Sequence, residues 1–298
     1  MLLNTALLHF NEDIGRATAL HAHAAPMAAG TVRDDILRAA WMMAVGACDA
    51  YFSDVYADLV SRTLQAKALH PTMAIPDRMN NLKIPAIAVI GEGRTYGGWR
   101  WRMAARELIE DENVLLLKKI KELFNQFFPD GGKLMTTATI EPWILHRDAR
   151  VRQFGISKTA YRALATGAKG SARGKALDKF QAYFADIFQR RHDCIHNCDR
   201  PKVALQPITA ATVEKRIEDV SFLVRRCHAD LLAAFPLYLR RCAVPGVVRA
   251  RVGAGGGERR QRRPRGPVAA AAAGALAAAP AARSAGAPAV AIAAAPPV

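Results

Sequence analysis

The sequence contains few cysteines and no apolar run long enough to cross a membrane. An odd number of widely spaced cysteines indicates reduced thiols in a cytosol rather than a disulfide framework, and the five are Cys48, Cys194, Cys198, Cys227 and Cys242. The apolar start before His9 is too short for a signal or transit peptide. The alanine-rich stretch 267–282 is shorter than the roughly 20 residues of a membrane span and contains Pro280. We therefore expect a cytoplasmic protein that does not enter a membrane.

Acidic residues are scarce relative to basic ones. The chain has 26 Asp and Glu against 42 Lys and Arg, so its formal net charge is +16. Residues 249–298 hold eight arginines and one glutamate, a charge of +7, which leaves +9 for residues 1–248. An excess of this size is typical of proteins that bind nucleic acid or an anionic membrane surface.

Aromatic residues are also few, at 7%, but hydrophobic residues reach 51% of the 298 positions, which is enough for one sizeable core. Apolar residues recur at helical spacing in several segments. The pattern predicts helices over 4–24, 32–67, 103–128 (as one or two helices), 175–197 and from Thr209 or Thr212 onward. The stretch TVRD at 31–34 has the form of a capping box. The sequence therefore predicts an all-α fold.

Two stretches interrupt the helical pattern, and the composition changes near the C-terminus. Residues 68–102 and 129–156 read as insertions that form loops, short helices or a β-hairpin. After residue 243 the chain consists mainly of Ala, Gly, Pro and Arg, which offer too little apolar surface to offset the entropy of ordering. We expect a helical domain over 1–243 and a disordered tail over 244–298, whose basic segment either binds RNA or a membrane or is an incidental extension.

The segment FQRRHDCIHN, residues 188–197, places basic side chains on a helix with an apolar stripe. A helix turns about 100° per residue, which places Arg191 on the same face as the apolar stripe. The stripe consists of Leu177, Phe180, Phe184, Ile187 and Ile195. An arginine at such a position must be paired or must line a cleft. His196 follows about 140° further round the helix. Arg191 and His196 can both bind one anion if the Arg191 side chain extends around the helix towards His196, or if the helix ends before His196.

Two other interpretations of this segment remain open from the residues alone. Arg191 could form an ion pair with Glu218 or Asp219, while His196 interacts with the dipole at the helix C-terminus. A zinc site is the other alternative, with potential ligands at His192, Cys194, His196 and Cys198. On a helix this alternation directs the two pairs of ligands to opposite sides, which disfavours a tetrahedral site.

The arginine and histidine, separated by four residues, resemble the RxxxxH motif of HEPN-domain ribonucleases. A polar residue, His192, follows the arginine, and an apolar one, Ile195, precedes the histidine. The setting is similar as well, because a long early helix carries the pattern A-x-x-A-Y-F at 47–52 and a closing amphipathic helix follows the motif. The arrangement is most similar to the RiboL-PSP-HEPN type, loosely over residues 5–240 and sharply over 190–197.

The resemblance implies an antiparallel helical bundle that forms a homodimer with two RxxxxH motifs in one basic cleft. It implies RNA cleavage without a metal or other cofactor, which leaves a 2′,3′-cyclic phosphate. His196 would take the proton from the ribose 2′-OH, and Arg191 would bind the non-bridging oxygens. His192, Arg190 and Asn197 would support the motif or contact RNA.

The same resemblance suggests a toxin–antitoxin or antiviral-defence setting with a corresponding partner protein. The alternative within the family is a non-catalytic module that binds RNA, a nucleotide or a protein partner.

Overall fold

The structure, a computed structural model, describes residues 3–80, 99–110, 114–199 and 205–253. The chain divides into two units, Met1–Gly257 and Glu258–Val298, and all described residues belong to the first. Their regular secondary structure is entirely helical, which confirms the predicted all-α fold. Within this described part, no helix combines the length and apolar character that crossing a membrane requires.

Four long helices form the framework, namely α1 (Asn4–Ala24), α2 (Thr31–Leu69), α9 (Thr166–His196) and α10 (Ala210–Arg241). Shorter ones are α3 (Asp77–Asn80), α4 (Trp99–Glu110), α5 (Leu117–Phe124), α6 (Glu141–Ile144), α7 (Val151–Phe154), α8 (Lys158–Ala163) and α11 (Gly246–Gly253), with a 3₁₀ turn at Asn125–Phe127. Helix α2 contacts α1, α4, α9, α10 and α11. Because neighbours cover it on several sides, α2 is apolar around most of its circumference rather than along one stripe.

Aromatic side chains fill the core in two groups. Rings of α2, α5, the 3₁₀ turn and α10 meet around Phe124 and Phe127, mostly edge to face. A second group joins α6, α7, α9 and α10 through Trp143, Phe154 and Phe180, and the Phe154 and Phe180 rings stack 5.0 Å apart. Full burial of one such ring contributes about 1.5–3 kcal/mol, so these rings fix how the helices pack.

Most predicted helices are confirmed, with shifted ends. The predicted helix over 175–197 begins earlier, at Thr166, and the prediction over 103–128 corresponds to α4, α5 and the 3₁₀ turn. Thr209 caps α10, because its hydroxyl accepts a hydrogen bond from the Thr212 amide. The capping box at 31–34 is wrong, since α2 begins after Gly30 without a side-chain cap. The insertion 129–156 contains the short helices α6 and α7, and residues 81–98 of the other insertion lie outside the described residues.

The start of the predicted tail packs on the domain. Val244 and Val252 are buried, α11 contacts α2 and α10, and the Arg62 guanidinium donates to the Val252 carbonyl. Val248 also packs partly against the core, so the valines of this stretch supply enough apolar surface to hold one short helix. The predicted boundary at 243 falls too early for residues 244–253, and residues 254–298 lie outside the described part of the chain.

Candidate active site at the end of helix α9

The predicted motif occupies the last two turns of α9, which stays helical through His196. Leu177, Phe180, Phe184 and Ile187 are buried, as the apolar stripe predicts. Ile195 is 46% exposed, so the stripe does not reach the end of the helix. The prediction fails there because the core ends before the helix does.

Arg191 is half-buried and faces an acidic residue that sequence reasoning did not identify. Its Nε is buried and has no hydrogen-bond partner in the described part of the chain. Burial raises the pKa of Asp49 on α2, and the positive charge of Arg191 opposes that shift, which places the two charges close together. A half-buried guanidinium with an unused donor is a suitable group for binding an anion.

The alternative ion pair between Arg191 and Glu218 or Asp219 of α10 is wrong. Asp219 of α10 instead accepts both an Arg152 Nε hydrogen bond at 3.0 Å and one from Gln153 at 2.8 Å. Glu218 pairs with the same arginine, at 2.7 Å from its Nη2. Both carboxylates therefore brace α7 against α10 rather than neutralise the motif.

The two motif histidines are exposed and lie together. They are one helical turn apart, and the ring centroids of His192 and His196 are 4.3 Å apart at an interplanar angle of 41°. Arg191 precedes them by about 100° and about 140° of helical rotation, so the arginine and His196 do not share one face of α9. His196 is the last residue of the helix, where the dipole favours a positive charge.

A buried aspartate between the histidines fixes this final turn. Asp193 is 7% exposed and its carboxylate accepts hydrogen bonds from Gln189, Asn197 and Gln206. Its backbone carbonyl accepts from the amides of Asn197 and Asp199. Asn197 is the C-cap of α9. The predicted supporting role of Asn197 is therefore structural, because the residue ends α9 and donates hydrogen bonds to Asp193.

Arg190, predicted as a phosphate-binding residue, is engaged within the fold. Its Nη2 donates to Asp199 Oδ2 at 3.0 Å and to the Pro207 carbonyl at 3.0 Å, and its guanidinium lies 5.0 Å from the centre of the Trp41 ring. Arg38 of α2 donates to the same Oδ2 at 2.7 Å. We call Arg38, Arg190 and Asp199 the Asp199 clamp. It ties the end of α9 to α2 and to the segment before α10, so Arg190 is a structural residue.

The clamp holds a strained piece of backbone. Cys198 and Asp199 both have positive φ, at 49° and 58°, a region that Asp tolerates but that Cys rarely occupies. The Oδ1 atom of Asp199 is buried without a hydrogen-bond partner in the described residues. Burial, and secondarily the negative charge of Asp199, raise the pKa of the Cys194 thiol to about 11. Strain of this kind clusters at functional sites.

A zinc site finds no support in the geometry. Within the residues that the structure describes, no group of three or more His, Cys, Asp or Glu side chains is arranged to hold a metal ion. A thiol with a raised pKa is also a poor zinc ligand, because the metal binds the thiolate.

The sequence gives only weak signals for the residues that were missed. Asp49 is a half-buried carboxylate in an otherwise apolar stretch of α2, which marks it as unusual. Arg38 and Asp199 are separated by 161 positions, and no local pattern connects them. Together the site offers a guanidinium for an anion, a nearby carboxylate and two exposed imidazoles.

Comparison of the chain with protein-family models, with curated proteins and with solved structures found no match in any of the three.

Proposed function

We propose that the protein is a metal-independent endoribonuclease of the HEPN type, with Arg191 and His196 as its catalytic residues. The observation that carries the proposal is the half-buried Arg191, whose Nε is unpaired within the described residues, in the same helical turns as two exposed imidazoles. The first group suits a phosphate oxygen, and the second suits the transfer of a proton. The net charge of +16 favours the approach of a polyanion such as RNA.

In the proposed reaction the His196 imidazole accepts the proton of a ribose 2′-OH. The 2′-oxygen then forms a bond to the adjacent phosphorus, and the bond from phosphorus to the 5′-oxygen breaks. That oxygen leaves with the electron pair and takes a proton from water, while Arg191 stabilises the charge on the non-bridging oxygens. The products are a 2′,3′-cyclic phosphate and a 5′-OH. RNA is required because DNA lacks the nucleophile.

The orientation of the two residues favours a homodimer. One chain presents Arg191 and His196 about 140° apart on a continuous helix, so a single copy does not aim both at one phosphate. Two copies that pack through the ends of α9 bring two guanidiniums and four imidazoles into one basic cleft. A cytoplasmic toxin or antiviral-defence effector with a cognate inhibitor is the setting that such an activity fits.

The same 140° separation favours one competing function, a non-catalytic module that binds RNA, a nucleotide or a protein partner. Such a module uses Arg191 for an anion and leaves the histidines without a chemical role. An assay of RNA cleavage separates the two.

The test is cleavage of structured and single-stranded RNA in EDTA by the wild type and by Arg191→Ala, His196→Ala and His192→Ala. Loss of the base or of the phosphate-binding cation is expected to lower the rate by about 100-fold or more, and His192→Ala by less. His9→Ala and Arg162→Ala, which remove exposed side chains of the same types, serve as matched controls and should cleave like the wild type. Circular dichroism verifies the fold of each variant.

Several outcomes would contradict the proposal. RNA cleavage that survives in both Arg191→Ala and His196→Ala would show that these residues are not the catalytic ones. A wild type that binds RNA through Arg191 but never cleaves it would favour the binding module. Solution mass tests the dimer, since a strict monomer cannot bring two motifs together.

A further inference from the structure

A surface groove lies at the opposite end of α9 from the motif. It has a volume of about 520 Å³ and runs between the first turns of α9 and the segment 154–164. Lys179, its lining residue nearest to the motif, precedes Arg191 by 12 positions on the helix, or about 18 Å at 1.5 Å per residue. The groove is therefore separate from the candidate active site.

The groove has an apolar floor because small and aliphatic side chains line it. Ala168 and Ala172 of α9 face Ile156 and Leu164 across it, and the ring of Phe154 forms its buried base. These residues leave the space between the helix and the loop unfilled. An apolar surface of this shape takes a hydrophobic ligand from water.

The adjoining helix turns are open to close approach. The first ten residues of α9, Thr166–Lys175, include no buried residue, and Gly167, Gly170 and Gly174 lie among them. A Cβ at any of the three would meet nothing within 4 Å. Glycine within a helix costs about 1 kcal/mol relative to Ala, so these turns are poorly stabilised by the domain alone.

Two lysines form the polar rim of the groove. Lys175 and Lys179 are exposed, one helical turn apart, and neither has an ion-pair partner among the described side chains. The stem of Lys179 lies over Gly155, whose φ of +71° requires glycine. A Cβ on Gly155 would lie 3.4 Å from the Cγ of that lysine, so the glycine lets the stem lie against the loop. The rim thus presents two exposed positive charges beside an apolar floor.

We propose that this groove binds an acidic amphipathic helix of a protein partner. Apolar side chains at helical spacing would occupy the floor, and carboxylates on the flank of the same helix would meet Lys175 and Lys179. Single-stranded RNA fits the groove less well, because Phe154 is buried and offers no ring face on which a base could stack. The floor contributes apolar burial, and the lysines select a partner of negative charge.

The test is selection from a displayed library of amphipathic helical peptides on the full-length chain. The variant Lys175→Glu/Lys179→Glu is the counter-target, and Lys118→Glu/Lys215→Glu, which reverses two exposed lysines elsewhere, is its matched control. Enriched peptides should carry Asp or Glu beside an apolar stripe. By fluorescence anisotropy they should bind the groove variant at least about tenfold more weakly than the wild type or the control.

Charge exchange makes the result specific. Replacing the acidic residues of an enriched peptide by Lys should restore its binding to Lys175→Glu/Lys179→Glu and abolish binding to the wild type. Ala168→Trp, at an exposed position of the floor, should weaken the acidic peptide without changing the melting temperature.

Three results would overturn the proposal. Enriched peptides without acidic residues would remove the role of the lysines. Equal binding to the wild type and the groove variant would place the peptide elsewhere. A short single-stranded RNA that loses affinity for the groove variant, with no peptide enriched, would make the groove an RNA surface. RNA cleavage by the motif is independent of each result, so a failure here does not affect the proposed ribonuclease.

Discussion

Two aspartates in the described part of the chain are fully buried, and the fold satisfies their hydrogen-bonding capacity to different degrees. Asp219 lies inside α10, and its two oxygens accept hydrogen bonds from Arg152, Gln153 and Tyr183, which we call the Asp219 clamp. Asp199 lies just beyond α9, and both of its arginine partners donate to the same oxygen, Oδ2. Its Oδ1 has no hydrogen-bond partner in the described residues.

The surrounding backbone differs in the same way. Asp219 has ordinary helical geometry, whereas Asp199 and its neighbour Cys198 have positive φ. Burial alone would lower the pKa of Arg152 and of Arg38, yet hydrogen bonds to their carboxylate partners raise both. The two clamps therefore differ in the backbone and in the unpaired Oδ1 of Asp199, not in the charge pairing of their arginines. Asp219, whose two oxygens are both hydrogen-bonded, braces α7 against α10. Asp199, which has one unpaired oxygen and a strained neighbour, lies beside the candidate active site.

The largest expected effect is loss of the Asp219 clamp. Asp219→Ala leaves Arg152, Gln153 and Tyr183 without their common acceptor, and we expect the free energy of unfolding to fall by about 3–5 kcal/mol. Urea denaturation measures this change. The matched control is Glu218→Ala, which removes the exposed partner of the same arginine and should cost no more than about 1 kcal/mol. Equal effects of the two variants would show that burial of Asp219 contributes nothing.

Loss of the Asp199 clamp should cost less stability. In Asp199→Ala, Arg38 retains Asp35 and Arg190 retains two backbone carbonyls, so we expect a loss of about 1–3 kcal/mol. The control is Asp35→Ala, which removes the exposed carboxylate from Arg38 and should have a smaller effect. A loss larger than that of Asp219→Ala would reverse the comparison.

A second measurement separates a local effect of Asp199 from general unfolding. The negative charge of Asp199 disfavours the Cys194 thiolate and raises the pKa of that thiol, so Asp199→Ala should lower it from about 11. The midpoint of the pH profile for alkylation of Cys194, followed by mass spectrometry, should move to lower pH. Asp219→Ala should leave that midpoint unchanged, provided the protein stays folded.

The smallest expected effect is relief of the backbone strain. Cys198→Gly places the residue that tolerates positive φ at a position where φ is 49°, and we expect a gain in stability of up to about 1 kcal/mol. Thermal unfolding measures the gain. Ala182→Gly, at an exposed position within α9, is the matched control and should lower stability by about 1 kcal/mol. A loss in both variants would show that the φ at Cys198 carries no strain.

The helices could be predicted from the sequence because their apolar periodicity is local. The stripe through Phe180, Phe184 and Ile187 gave the buried face of α9, and Thr209 gave the start of α10. The ends of helices were less predictable. Thr166–Lys175 contains no buried residue, so no apolar stripe marks the true start of α9.

Within the candidate site, the sequence singled out Arg191 because a cation in an apolar stripe needs an explanation. The position of the motif at the end of a helix also followed from the sequence, since a proline comes soon after it.

The roles of the neighbouring residues depended on the tertiary structure. Arg190 and Arg191 are adjacent in the sequence, but a helical rotation of about 100° sends one to Trp41 and Asp199 and the other towards Asp49. The sequence by itself thus determined which segments are helical and which arginine is unusual. Tertiary packing decided which arginine is clamped by Asp199 and which lies towards Asp49, because these partners come from segments beyond the helix that carries both arginines.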